Sequence, residues 1–425
     1  MAGDCIRQIP RRGFVLSLAA TILMMAAASA PSLFYPQIAE QLGLVPVATT
    51  LVFAVYTFTL LAALLYLGPL SDHIGRRPVV TAGSLALALS LAMFWFADSL
   101  ATLLVARALQ GLAAGLLIPA LSAMMIDFEP PSHPNIAALW NTIGPMIGLG
   151  TGALGAALLL DLTPEPTAAV FGPLVLAFLT VAATVWSTPE LVPKTRIRRG
   201  DLRPRFMVPL HLRRMFTAGV PAIIAGWATN GLFLALGAGL VGSELGGSTH
   251  THAGIVIFAL AISGITASSV LQRRSARTIS LYATSALAFG TAASIVALAL
   301  GSYPAYVVSV AIVGSGFGTA FLGVLRTLMP HTASSERAAV MAVIYTVAYL
   351  AFGVPTIVAG LLVPVLTLSG TMTILGAIII ALSLVATVLR LRIPHPAAGP
   401  AETDDFSELP TDSRRRTAPD QEEQP

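Results

Sequence analysis

Gly68-Pro69-Leu70-Ser71-Asp72-His73-Ile74-Gly75-Arg76-Arg77-Pro78 is a short polar turn set between two long apolar stretches. Upstream, nothing charged occurs between Glu40 and Asp72; downstream, nothing charged occurs between Arg77 and Asp98. Each gap is long enough for the ~20 apolar residues that carry a helix across a bilayer. The turn therefore links two membrane-crossing helices, and the chain repeats the pattern outward. Arg12–Glu40, Glu129–Asp161, Glu165–Glu190, Arg214–Glu244 and Glu244–Arg273 each enclose one uncharged block, and Asp98–Asp127 is broken only by Arg107. Two blocks are longer, with 48 residues between Arg277 and Arg326 and 52 between Arg337 and Arg390. Each holds two spans. The turn-like sequences Gly301-Ser302-Tyr303-Pro304 and Leu368-Ser369-Gly370 mark the splits. The expectation is an all-α integral membrane protein of twelve transmembrane helices. Barrel strands would alternate in polarity over about ten residues, and these blocks do not.

Composition agrees. Of 425 residues 56% are hydrophobic and 10% charged, against roughly 25% charged in soluble domains. The basic residues fall on one side of the expected topology. Arg7, Arg11 and Arg12 precede span 1, and Arg76 and Arg77 follow span 2. Eight lie between spans 6 and 7, and others flank the 8–9 and 10–11 loops and follow span 12. The opposite loops carry Glu40, Asp98, Asp161, Glu165 and Glu244 and no base. The positive-inside rule then predicts cytoplasmic N- and C-termini in a plasma (inner) membrane. The basic balance is thus a matter of topology and lipid headgroups, and no nucleic-acid partner is expected. Cys5 is the only cysteine, so neither an intramolecular disulfide nor a thiol metal site is expected, and no other metal or cofactor is called for. The first apolar run, ending Ala28-Ser29-Ala30, imitates a signal peptide, but it is too long and eleven more spans follow.

The longest internal polar stretch, 188–214, divides the chain. The reading is a cytoplasmic N-terminus (1–13), an N-terminal six-helix bundle (14–187), a central cytoplasmic loop (188–214), a C-terminal six-helix bundle (215–390) and a disordered cytoplasmic tail (391–425). Parallel six-span repeats are one plan for transporters. Faint echoes support duplication: Gly144-Pro145 in span 5 against Gly353-Val354-Pro355 in span 11, and Arg76-Arg77 against Arg273-Arg274.

In the opening turn, Gly68 allows close helix approach, Gly75 permits a tight turn and Pro78 suits a helix's first turn. Asp72, Arg76 and Arg77 supply charge at the membrane surface. The stretch resembles the loop signature G-x-x-x-D-x-x-G-R-[RK] of the major facilitator superfamily and matches all its fixed positions. Arg107-Ala108-Leu109-Gln110-Gly111 in span 4 is similar to that family's R-x-x-Q-G signature. Arg107, Gln110, Gly111 and Gly115 share one helix face. Arg107 lies about 12 Å in from the far end at 1.5 Å per residue, where a charge costs at least about 2.5 kcal/mol. It either snorkels outward or bonds backbone carbonyls, or it stands as a fixed charge in the substrate or proton path, with Gln110 beside it. Gly144-Pro145 with Gly148 and Gly152 partly resembles the glycine-proline motif of the family's antiporters. Such spacing also serves helix packing, as do Gly111 and Gly115.

The resemblance implies two six-helix bundles in the major facilitator fold, akin to the twelve-helix drug/proton antiporter group. It implies that Gly68, Asp72, Gly75, Arg76, Arg77 and Asp127 form a cytoplasmic latch holding an outward-facing state. The alternative is solvated surface charge of little individual worth. Asn230 and Phe317, with Trp227, Phe233 and Phe321, are candidates for a central cavity. Asn141 is a candidate inter-helix bond, as is Asn230 in the alternative, and Glu244, His250 and His252 are expected in solvent. No acid lies in span 1, so the proton carrier is not identified; Asp72 and Asp127 are the candidates. The leading reading is a monomeric exporter of small hydrophobic or amphipathic molecules that works by alternating access, with protons as coupling ion. Alternatives are an uptake permease or uniporter for a small metabolite, an anionic substrate held by Arg107, a membrane enzyme and a structural protein. An enzyme lacks clustered acids or histidines here.

Overall fold

The computed structural model describes residues 2–133, 136–192, 195, 206–247, 249–333 and 336–392. The tail beyond 392, six basic residues of the central loop (Lys194, Arg196, Arg198, Arg199, Arg203, Arg205) and the Cys5 side chain lie outside the described residues. Among those described the structure is helical, without strands. The helices are α1 (Ala2–Ser29), α2 (Tyr35–Leu42), α3 (Pro46–Leu67), α4 (Leu70–Ile74), α5 (Arg76–Trp95), α6 (Leu100–Asp127) and α7 (Ile136–Leu162). They continue with α8 (Pro166–Thr184), α9 (Leu210–Glu244), α10 (His250–Leu271), α11 (Ala276–Ala299), α12 (Tyr303–Leu328) and α13 (Arg337–Arg392).

Eleven of these are long and apolar enough to cross a membrane, and α13, at 56 residues, holds two spans. Its break is at Thr367, where φ 65° and ψ 173° interrupt the helix. The Thr367 hydroxyl accepts from the Gly370 amide at 3.3 Å and so starts the second span. The other expected split also occurs, with Gly301 at φ 60° and α12 opening on Tyr303-Pro304. Two features differ from expectation. Helix α1 begins at Ala2 rather than near residue 14, because the backbone ladder that makes a helix needs no apolar side chains and continues beyond the lipid. A short helix, α2, follows span 1, anchored by buried Tyr35 and ended by Gly43 at φ 61°.

Several helix starts are written locally. Pro46, Pro166 and Pro304 stand in the first turns of α3, α8 and α12, where proline's missing N–H costs nothing. Ser99 and Ser275 cap α6 and α11 by accepting from Thr102 N and Thr278 N. The N-cap residues of α5 and α10, Gly75 and Thr249, make no side-chain cap bond.

Residues Met1–Arg390 form one compact unit. Within it α6 packs on α1, α3 and α5, α7 on α1, and α8 on α5, while α12 packs on α9, α10 and α11. Glycine sets the closeness of the joins, as expected where lipid removes the hydrophobic drive and packing must hold helices together. Two seams join the first six spans to the last six. Along one, Gly254 and Gly264 of α10 meet Ala157 and Met146 of α7. Along the other, Gly353 and Gly360 of α13 meet Thr57 and Thr50 of α3. In span order these are pairs 5–8 and 2–11, which an offset of six spans exchanges.

Candidate functional site

The turn after α3 is organised by Arg76. Its Nε donates to Asp127 Oδ2 at 3.1 Å, and its Nη1 donates to Ser71 Oγ at 2.7 Å and to Asp72 Oδ1. The three residues that the sequence grouped as a latch are therefore in contact. Asp127 arrives because α6 ends there. Arg76 is 13% exposed whereas Asp72 is 61% exposed, so the guanidinium is seated and Asp72 faces outward. Arg77 stands beside it with a buried Nε that has no hydrogen-bond partner among the described residues.

Sequence reasoning missed Glu190. Its carboxylate accepts from the backbone N–H of Arg76 and of Arg77, each at 3.0 Å. It thereby takes the free amides at the start of α5, where the helix dipole favours an anion. Gly75 makes room for it: φ is 101°, and a Cβ there would lie 2.6 Å from Glu190 Oε2. The adjoining chain is tied down as well, since Thr195 N donates to His73 O at 2.9 Å and Trp186 Nε1 to Thr81 Oγ1 at 3.0 Å. The central loop thus begins docked on the signature turn. The available signal was an acid just past span 6 on the basic side. Gly68 packs near Pro119 of α6.

Arg107 is 0% exposed. Its Nε donates to Tyr35 Oη and its Nη1 to Gln110 Oε1 and, at 3.4 Å, to Ala28 O, while Gln110 Nε2 donates to Ala27 O at 2.9 Å. Four aromatic rings surround the charge, with centroids 5.2 Å (Tyr35), 5.9 Å (Phe53), 5.4 Å (Tyr56) and 5.2 Å (Phe94) from Cζ. Nη2 has no hydrogen-bond partner, and no carboxylate pairs with the group among the described residues. Ring quadrupoles contribute ~0.5–2 kcal/mol each to holding such a cation. The guanidinium bonds one backbone carbonyl and two side chains, is wholly buried and does not snorkel outward. On the same helix face, Gly111 and Gly115 admit α3, lying against Tyr56, Thr59, Leu60 and Ala63. Gly144, Gly148 and Gly152 admit α1 in the same way, against Leu18, Ile22 and Ala26, with Pro145 inside α7.

A second aromatic group lies between α9, α12 and α13. Trp227 meets Phe317 (6.2 Å), Phe321 (6.1 Å), Tyr349 (4.9 Å) and Phe352 (6.2 Å), and Phe321 meets Tyr345 (6.0 Å). Phe352 also touches Phe53 of α3 at 5.2 Å across a seam. Trp227 Nε1 and, one turn on, Asn230 Oδ1 are buried without hydrogen-bond partners. No Asp or Glu is buried among the described residues. Phe233 packs instead on Tyr306. Asn141 bonds Ser122 O at 3.4 Å, the inter-helix role expected of it. No metal-binding group of His, Cys, Asp or Glu occurs among the described residues.

A twelve-span helical chain with this signature turn is a membrane transporter by class. The family model of the Major Facilitator Superfamily matches residues 16–355, and the chain belongs to that superfamily. It is similar to the puromycin resistance protein pur8 of Streptomyces alboniger (30% identical, over 34% of this chain and 30% of that protein). It is also similar to the multidrug efflux pump LfrA of Mycolicibacterium smegmatis (31%, over 50% and 40%) and to the multidrug resistance protein MdtL of Escherichia coli O81 (26%, over 46% and 52%). Each match spans about half or less of the relative's length.

Proposed function

We propose that the protein exports small hydrophobic or amphipathic molecules by alternating access, in exchange for protons. The observation that carries the reading is the aromatic group around Trp227. It offers ring faces, one unpartnered donor, one unpartnered acceptor and no carboxylate, the mostly apolar lining with few polar groups expected of a small-molecule site. The relative named a multidrug efflux pump, LfrA, supports the direction. An anionic substrate on Arg107 is disfavoured by its closed cage.

In this reading the spans within 14–187 and 215–390 are two bodies that rock along the two seams. The termini and the arginine-bearing loops are cytoplasmic, the membrane is the plasma (inner) membrane, and the protein works as a monomer. The turn with Asp72, Arg76 and Asp127 is the cytoplasmic latch. The latch holds the outward-facing state only by bonding across to the last six spans. Here Asp72, Arg76 and Asp127 bond one another within the first six, and with the tight seam at the opposite end this supports a conformation closed to the outside. With no buried acid described, the proton is carried at an end of the bundle, by Asp72 or Asp127.

Purified protein in liposomes tests this. Loading with an amphipathic fluorescent amine and imposing a pH gradient should drive the dye out of the compartment equivalent to the cytoplasm. Trp227→Ala should slow that flux about tenfold. Flux indifferent to an uncoupler removes proton exchange from the reading, and full activity in Trp227→Ala removes the site.

A further inference from the structure

Helix α7 ends beside the start of α10, and the two belong to opposite halves of the chain. Asp161, the last residue but one of α7, is placed badly for its own helix: a carboxylate at a helix C-terminus adds to the negative end of the dipole. Its partners lie on the other side of the seam. His250 N donates to Oδ1 at 3.0 Å, Thr251 N to Oδ2 at 2.7 Å and the Thr251 hydroxyl to Oδ2 at 2.5 Å, while His250 Nδ1 lies 2.8 Å from Oδ1. The Asp161 side chain is only 18% exposed.

Helix α10 lacks a cap of its own. Thr249, at the cap position, bonds the His252 ring at 2.7 Å instead of an amide of the first turn. Tyr303 of α12 steadies the same turn through His252 O at 3.0 Å. The N-terminal cap of α10 is thus supplied by the other half of the molecule. A cap contributes roughly 0.5–2 kcal/mol in ordinary helices. Here that contribution exists only while α7 and α10 stay together at this end.

We propose that Asp161 is a positioning residue for the transport cycle, the fastener that holds the outer end closed and must release α10 before that end can open. This rests on the alternating-access reading, but its test needs no substrate. Thr50 lies at the same end on the other seam, 5% exposed against Gly360 of α13. In a Cys5→Ser background, Thr50→Cys supplies a reporter thiol that a membrane-impermeant maleimide reaches only when the outer end opens.

Added to right-side-out vesicles, the reagent should label that thiol about tenfold faster in Asp161→Ala. Asp161→Glu, which keeps the carboxylate, should change the rate less than threefold. An unchanged rate in a monodisperse Asp161→Ala protein with native helix content overturns the proposal. If that variant does not fold, Thr251→Val and His250→Ala, which leave the backbone donors in place, should each raise labelling two- to threefold. No rise in either overturns it as well. A rise confined to inverted vesicles leaves the fastener standing and overturns the orientation given above.

Discussion

Among the described helices, α5 and α10 each take an N-terminal cap from a distant part of the chain. At the arginine-bearing end, α5 receives Glu190, which lies just past α8 in the same half. At the other end, α10 receives Asp161 from α7 across a seam. The electrostatics are the same in both places: a carboxylate meets two free amides. The connectivity differs, and with it the consequence. Breaking the Glu190 contact unfastens a loop from its own half, so that contact can be permanent. On the alternating-access reading proposed above, the Asp161 contact joins parts that must separate, so that reading has it formed and lost at each turnover.

The sharpest challenge to this contrast is at Arg76. Arg76→Ala removes the cation between Asp72 and Asp127 and should lower transport at least tenfold in liposomes, while maleimide labelling of the Thr50→Cys reporter shows where the conformational balance goes. Normal flux would sink the latch. Next comes Gly75→Ala. It forces a side chain into positive φ and into Glu190, and should lower stability by about 2 kcal/mol, read as a fall in melting temperature in detergent. Glu190→Ala should cost about 1 kcal/mol. Because both changes evict the same carboxylate, the double variant should be less destabilised than the sum. Strict additivity would mean that Gly75 serves the turn alone. The smallest expected effect is in Glu190→Ala combined with the Thr50→Cys reporter, where labelling should stay within twofold of the parent. A rise like that of Asp161→Ala would erase the distinction between the two caps.

The spans were legible because lipid imposes a length that charge spacing records directly. Both long blocks divide where small and turn-forming residues stand, at Gly301 and one residue before Leu368. Arg76 and Asp127 were legible through a family signature rather than through physics, since nothing local says that residues 51 apart will meet. Glu190 and Asp161 carried no such mark. Each is one acid at the end of a span or just past it, and its role depends on which helix start lies across from it, a property of packing alone. The Asp161 site did leave a trace, an acid at a helix C-terminus and a Thr-His-Thr-His run whose capping residue binds its neighbour. His250, expected in solvent, is exposed yet also paired. Arg107 was found by its cost in an apolar span. The rings that meet that cost come from α2, α3 and α5, and α2 was not foreseen.

That cage bears on how the chain is built. Helix α6 follows α2, α3 and α5 in the chain, so all four rings are synthesised before the guanidinium. Synthesised alone, α6 would have to leave its arginine in lipid or in water; following its predecessors, it finds a prepared receptacle. Stripping the rings of Tyr35 and Phe94 should therefore show itself during biogenesis, as poor insertion and proteolytic loss, before any defect in turnover could be measured.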